Sequence, residues 1–205
     1  MILLHPTSFP NIGHFSAIIQ AEKSVFEGYD NYVKQTYRNR YEIYSPNGKL
    51  PLTVPVNYTQ KNRQLYKDVK IANEDHWQQQ HLKSLQTAYN MSPFYEFYEN
   101  ELMPIFTKPF DFIFDFNLKC LEVLCDCLQI QLDIDFTESF EISPKDLLDY
   151  REWVNPKATK PIPFKPYTQV FTDKYGFIPN LSILDLLFNE GPNALTYLEQ
   201  PQFTT

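Results

Sequence analysis

The chain opens on a three-residue apolar run, Ile2-Leu3-Leu4. It breaks at His5 into a loop bounded by Pro6 and Pro10, and resumes with Ile12, Phe15, Ala17, Ile18 and Ile19 at helical spacing. That pattern predicts strand, turn, helix. In an open α/β sheet, ligands bind just past the carboxyl ends of strands, where such loops lead into helices whose free N–H groups hold anions. His5, Ser8, Phe9 and His14 are therefore the first candidates for ligand contact. A second short strand is predicted around Val25-Phe26. Beyond the polar run 30–40, Tyr41-Glu42-Ile43-Tyr44 and Leu50–Val56 flank Ser45-Pro46-Asn47-Gly48. Asn-Gly between two β-rich runs predicts a hairpin, with Pro51 and Pro55 confining its second strand to an edge.

Residues 58–70 read as a loop ending in a short strand at Asp68–Ile71. A helix then runs from Asn73 or Glu74 to about Asn90, capped by Asn73 or Asp75 and ended by Ser92-Pro93. Trp77, His81, Leu82, Leu85, Ala88 and Tyr89 share one arc of it. Phe94 to Phe106 forms a second, aromatic-rich helix. Asp111 to Gln129 forms a third, so densely apolar that it must pack on more than one side. Leu132, Ile134 and Phe136 alternate with polar neighbours, as a half-buried strand does. A short helix over Pro144–Trp153 and a Pro-rich surface connection over Asn155–Pro166 lead to a strand or helical turn at Tyr167–Phe171. The last helix begins at Asn180, its cap, and runs to Asn189 before Gly191-Pro192 stops it. It is apolar nearly all round, hence buried, which makes Asp185 the anomaly: a buried carboxylate has to be paired, hydrogen-bonded or protonated. The elements assemble into a single α/β domain over 1–205. A small mixed sheet joins the N-terminal strand, the hairpin and the Leu132–Phe136 strand, with flanking helices and a Rossmann-like arrangement as one form it can take.

Composition narrows the function classes. A chain of 205 residues, 43% hydrophobic and 21% charged, holds a full core and is not disordered. A net charge of −7, with no basic cluster beyond Arg38 and Arg40, argues against nucleic acid or an anionic membrane as partner. The first apolar run lacks a basic leader, and no stretch approaches the ~18 residues of a membrane span, so the expectation is a cytoplasmic protein. Cys120, Cys125 and Cys127 lie within one helical segment without paired zinc spacing, and read as reduced thiols with no metal site.

Several residues carry candidate chemistry. In an extended segment Arg38 and Arg40 share a face while Asn39 turns away, and paired guanidinium groups beside Tyr37 suit a carboxylate or pyrophosphate. The plain alternative is a solvated charged edge. His81, inside an apolar helical arc, is placed to act as a general base, with Asp185 orienting it and Ser8, Tyr37 or a substrate hydroxyl as third member. Against that, buried histidines are commonly structural. Trp77, Tyr89 and Tyr95 make either a sugar-stacking wall or ordinary core, and His76 sits on the other side near the helix start. His5 stands evenly between a strand-end site residue and a satisfied interior imidazole. Phe9-Pro10-x-x-Gly13-His14 resembles the phosphate-binding turn of HxGH nucleotidylyltransferases, with Asn11 where the first histidine belongs.

Four segments together resemble the WbqC-like protein family. They are Pro6–Phe15; Tyr37-Arg38-Asn39-Arg40 leading to Leu52–Val56; His76-Trp77 with His81-Leu82-Lys83 and Ala88-Tyr89; and Phe177–Asn189. The resemblance spans the chain. It implies a role in bacterial surface polysaccharide and O-antigen synthesis, modifying a nucleotide-linked amino sugar by acyl or aminoacyl transfer. The alternatives are a non-catalytic binding or scaffold subunit of the same pathway, and a nucleotidylyltransferase using the His14 turn. Where longer members carry a glycine-rich segment, this chain has Ile142–Pro166, rich in Pro and Lys and without Gly.

Overall fold

The structure is a computed structural model that describes residues 1–59, 63–157 and 163–200. Its elements in order are β1 (Ile2–Leu4), α1 (Ile12–Gln20), β2 (Ser24–Phe26), β3 (Arg40–Ser45), β4 (Gly48–Thr53), β5 (Val56–Asn57), β6 (Lys70–Ile71), α2 (Trp77–Tyr89), α3 (Tyr95–Thr107), α4 (Ile113–Leu128), β7 (Ile134–Phe136), β8 (Leu148–Asp149), α5 (Thr172–Tyr175), α6 (Ile183–Glu190) and α7 (Asn193–Glu199). No described helix is long and apolar enough to cross a membrane.

Four short strands form a parallel sheet in the order β7-β2-β1-β8. Helices flank it, so the fold is the α/β class the sequence predicts. The hairpin, however, stands apart as a two-stranded sheet paired from Arg40↔Thr53 to Ser45↔Gly48. The hairpin forms as expected, its two turn residues being Pro46 and Asn47, with Gly48 opening β4 at a φ of +93°. β3 lies against α2 and α6 rather than against β1.

The place expected for the hairpin in the sheet is filled by β8, inside the segment 144–153 that reads locally as a helix. β1 is central and buried, so its outward carbonyls need partners. They find them where Leu148 donates its N–H to the Met1 carbonyl at 3.2 Å and Tyr150 to that of Leu3 at 2.8 Å. Only one 3₁₀ turn, Arg151–Val154, remains of the predicted helix. Part of the expected Pro-rich connection, 158–162, lies outside the described residues.

The expectation of a buried last helix holds, although Ser182 rather than Asn180 caps α6, its Oγ accepting from Leu184 N–H at 3.3 Å. Asn180 has a φ of +56° and points elsewhere. Likewise neither Asn73 nor Asp75 caps α2: they form a 3₁₀ turn, and His76 sits at the helix start with a φ of +48°. The core runs continuously from Phe9 and Phe15 through Tyr41, Trp77, Phe106 and Phe116 to Leu187 and Phe188.

Gly191 ends α6 with a φ of +55°, and a Cβ there would stand 2.6 Å from the ring of Phe94. Gly191→Ala is therefore strained in both backbone and packing, and should destabilise the domain by about 2–3 kcal/mol in chemical denaturation. A loss under ~0.5 kcal/mol, the level of an ordinary surface change, would contradict this placement.

Candidate functional site

The chain leaves β1 toward β2 and β7 on one side and returns across the sheet to β8 on the other. This is the topological switch point, at whose strand carboxyl ends ligands bind in open parallel sheets. His5 follows β1 directly, and Arg151 follows β8 by two residues. The imidazole Nδ1 lies 3.3 Å from the Arg151 carbonyl, which can only accept, so Nδ1 carries the proton. Nε2 then carries the lone pair of a neutral ring and accepts. Arg38 Nη2 donates to it at 2.7 Å and also to Asp30 Oδ2 at 2.7 Å.

The third side of this triangle, His5 Nε2 to Asp30 Oδ2, measures 3.0 Å. Burial first, and the Arg38 charge second, lower the His5 pKa from its ordinary 6.5 to about 4. At neutral pH the ring is uncharged and basic only at Nε2. If a proton arrives there, the contact with Asp30 becomes a charge-assisted hydrogen bond. His5 and Arg38 are buried, whereas the Asp30 side chain is 24% exposed and gives the triangle its opening to solvent.

A second buried set holds the backbone around this triangle. Asn117, on α4, accepts from Ser8 Oγ at 2.7 Å and donates to the Arg38 carbonyl at 2.7 Å and to the Tyr66 hydroxyl. Tyr66 in turn donates to the Pro6 carbonyl at 2.6 Å and presents its ring to the Arg38 guanidinium. Ser8 thus positions backbone. On the β8 side, Arg151 holds Asp149 through two nitrogens and faces Glu27 Oε2 at 3.6 Å.

Other predicted site residues are dispersed. Arg40 does not join Arg38: its guanidinium lies over the Tyr37 ring, and the Tyr37 hydroxyl donates to Glu42. Asn39 donates to the Val54 carbonyl, holding the base of the hairpin. His81 and Asp185 are not paired. His81 Nε2 lies 3.1 Å from the Thr53 carbonyl and Nδ1 lies 3.1 Å from the Tyr41 hydroxyl, so both ring nitrogens are occupied and main chain holds one of them.

Asp185 accepts instead from Tyr89, Tyr167 and Gln169, at 2.8, 2.6 and 2.8 Å. Burial raises its pKa against those three donors. Phe9, Trp77, Tyr89 and Tyr95 are core rather than a solvent-facing wall. His76 is exposed.

The turn before α1 is closed to anions. Ile12 N–H donates to Leu181 O, Gly13 N–H to Asn180 Oδ1, His14 N–H to Asn11 Oδ1 and Phe15 N–H to Asn11 O, all within 2.9–3.0 Å. With these donors occupied and the His14 ring buried inside, the arrangement differs from the phosphate-binding turn expected of a nucleotidylyltransferase. Among the described residues no group of three His, Cys, Asp or Glu is placed to hold a metal.

The model of the WbqC-like protein family matches residues 5–160 and 152–197. The chain belongs to the WbqC-like protein family. A protein of Mycobacterium tuberculosis, the uncharacterized protein Rv1507c, is similar to it at 23% identity over 212 residues, covering 91% of each chain. No solved structure matches.

The sequence reading of this WbqC-like protein missed Asp30, Glu27, Asn117, Tyr66 and Arg151. Two had visible signals: Asn117 is an amide inside a densely apolar helix, and Glu27 is a charge directly after a short buried strand.

All three buried histidines are held below their ordinary pKa by burial, His5 and His81 to about 4 and His14 to about 3. From about pH 6.5 down to about pH 4 the unfolded chain binds protons that the folded one refuses, so stability falls with acid by about 1.4 kcal/mol per pH unit for each histidine. Chemical denaturation at pH 7 and pH 5 should show a loss of several kcal/mol, and His81→Gln should reduce that slope by one histidine's share. An unchanged slope in the variant would contradict the burial of His81.

Proposed function

We propose that this WbqC-like protein is a transferase acting on a nucleotide-linked amino sugar for bacterial surface polysaccharide, by acyl or aminoacyl transfer in the switch-point crevice. The class of substrate rests on the family resemblance. One observation carries the location. Three buried polar atoms without a hydrogen-bond partner, Thr7 Oγ1, Tyr32 Oη and Arg38 Nε, belong to the loops that follow β1 and β2. Unpaired buried donors and acceptors are costly, and a polar ligand supplies their partners.

In this reading the substrate phosphate draws the Arg38 guanidinium away from Nε2 of His5 and exposes the lone pair. The sugar amine attacks the carbonyl carbon of an activated acyl donor. As the C–N bond forms, the bond to the leaving group breaks, and the amine proton passes to Nε2. Asp30 stabilises the imidazolium across the 3.0 Å contact. His5 thus takes the role that the sequence pattern assigned to His81. A second reading, a non-catalytic binding subunit of the same pathway, is favoured by the near-complete burial of His5 and Arg38, at 1% and 3% exposure.

A panel of sugar nucleotides in thermal-shift measurements, run with acyl-transfer assays, separates these readings. A stabilising sugar nucleotide should be turned over by the native protein, and His5→Gln should keep the shift while abolishing turnover. A shift without turnover in the native protein selects the binding subunit. No shift from any sugar nucleotide overturns both.

A further inference from the structure

β7 lies at the open edge of the parallel sheet, where β2 is its one neighbour among the described residues. The Asp133 carbonyl accepts from Ser24 N–H at 2.9 Å, and Thr137 N–H donates to the Phe26 carbonyl at 3.0 Å. Main-chain groups alternate in direction along a strand, so those of Asp133, Asp135 and Thr137 serve β2 while those of Ile134 and Phe136 turn outward. The Phe136 N–H donates to the adjacent carboxylate, Asp135 Oδ1, at 2.9 Å. The Ile134 N–H and the carbonyls of Ile134 and Phe136 pair with no other described residue.

The side chains beside these open groups are apolar. Ile134 and Phe136 are 41% and 45% exposed. Both line a groove of about 450 Å³ whose other wall is Leu118, Leu121 and Cys125 of α4, with Leu132 at its end. An unpaired edge with large exposed apolar side chains is a template for an added strand. Charge selects which strand. Asp133 and Asp135 fall on the opposite face of β7, and Glu122 and Asp126 stand along the groove. Lys23 pairs with Asp135 at 3.1 Å and Lys119 with Glu122 at 2.7 Å, so four carboxylates meet two ammonium groups. A second copy of the chain fits poorly. Antiparallel pairing of two β7 strands through their outward groups sets Asp135 against Asp135 at the close, non-hydrogen-bonded position, in chains that each carry a net charge of −7.

We propose that the β7 edge takes an extended segment of a partner protein as a fifth strand, one in which Lys or Arg alternates with apolar residues. The main chain of that segment pairs with the Ile134 N–H and carbonyl. Its basic side chains meet Asp133 and Asp135, and its apolar ones enter the groove between Ile134, Phe136 and α4. The surface uses neither His5 nor Arg38, so it stands whether or not the switch-point crevice carries out transfer.

The test is calorimetric titration of the whole protein with the end-blocked peptide Thr-Val-Lys-Val-Lys-Val-Thr, beside its counterpart with Glu in place of both Lys. Saturable binding of the lysine peptide is expected, with at least tenfold weaker binding of the glutamate one. Amide hydrogen exchange at Ile134, whose N–H is open in the free protein, should slow at least tenfold at saturation. Asp135→Lys changes an exposed side chain and should reverse the preference between the two peptides. Should that variant fail to fold, the Ile134 exchange in the unmodified protein decides. Equal binding of the two peptides, unchanged exchange at Ile134, a preference kept by Asp135→Lys or no saturation by about 5 mM would each overturn the proposal. So would a free protein that is already dimeric with its Ile134 amide protected, which would give the edge to a second copy.

Discussion

A guanidinium buried beside the first strand sets the terms for this end of the molecule. Taking Arg38 out of water carries a desolvation penalty that only good partners offset, and removing one partner of such a pair commonly costs about 3–5 kcal/mol. Asp30 and His5 supply those partners at one end of the residue. At the other, its carbonyl accepts from Asn117. The loop from β2 to β3 is thus tied to the end of β1 and to the middle of α4 through a single residue. The same charge acts on His5: with burial, it keeps the imidazole neutral, and the guanidinium donates to Nε2.

The two ends of the chain close the other side of this region. The turn 9–13 and the segment 180–183 exchange hydrogen bonds: Ile183 N–H donates to Pro10 O at 2.8 Å, Ser182 Oγ to Phe9 O at 3.0 Å, and Asn180 takes the Gly13 N–H. Helix α1 therefore uses its first N–H groups for folding rather than for binding. At the switch point stand side chains, a guanidinium, a neutral imidazole and a partly exposed carboxylate, where this fold class commonly presents a peptide cradle.

Much of the architecture was legible because it is local. The first strand, the β3–β4 hairpin and the three long helices follow from period and turn chemistry. The assembly of the sheet was not legible, since β8 is two residues long and exists because β1 has carbonyls to satisfy, a demand no local window contains. The site divided in the same way. His5 and Arg38 stood out as types, yet their junction with Asp30 depends on how the loop 28–39 folds back. His81 and Asp185 drew attention by being polar in apolar surroundings, and that signal is shared by catalytic and structural groups alike. Here one is occupied by Thr53 and Tyr41, the other by two tyrosines and a glutamine.

The state of one imidazole decides what this end of the molecule can do. Nitrogen-detected NMR of the histidine side chains at pH 7 reads it directly. His5 should appear as a neutral ring protonated at Nδ1, with a titration midpoint near pH 4 set by burial and Arg38. A His5 that is imidazolium at pH 7, protonated at Nε2 instead, or that titrates near 6.5 like a free histidine, would contradict the arrangement on which the proposed transfer depends.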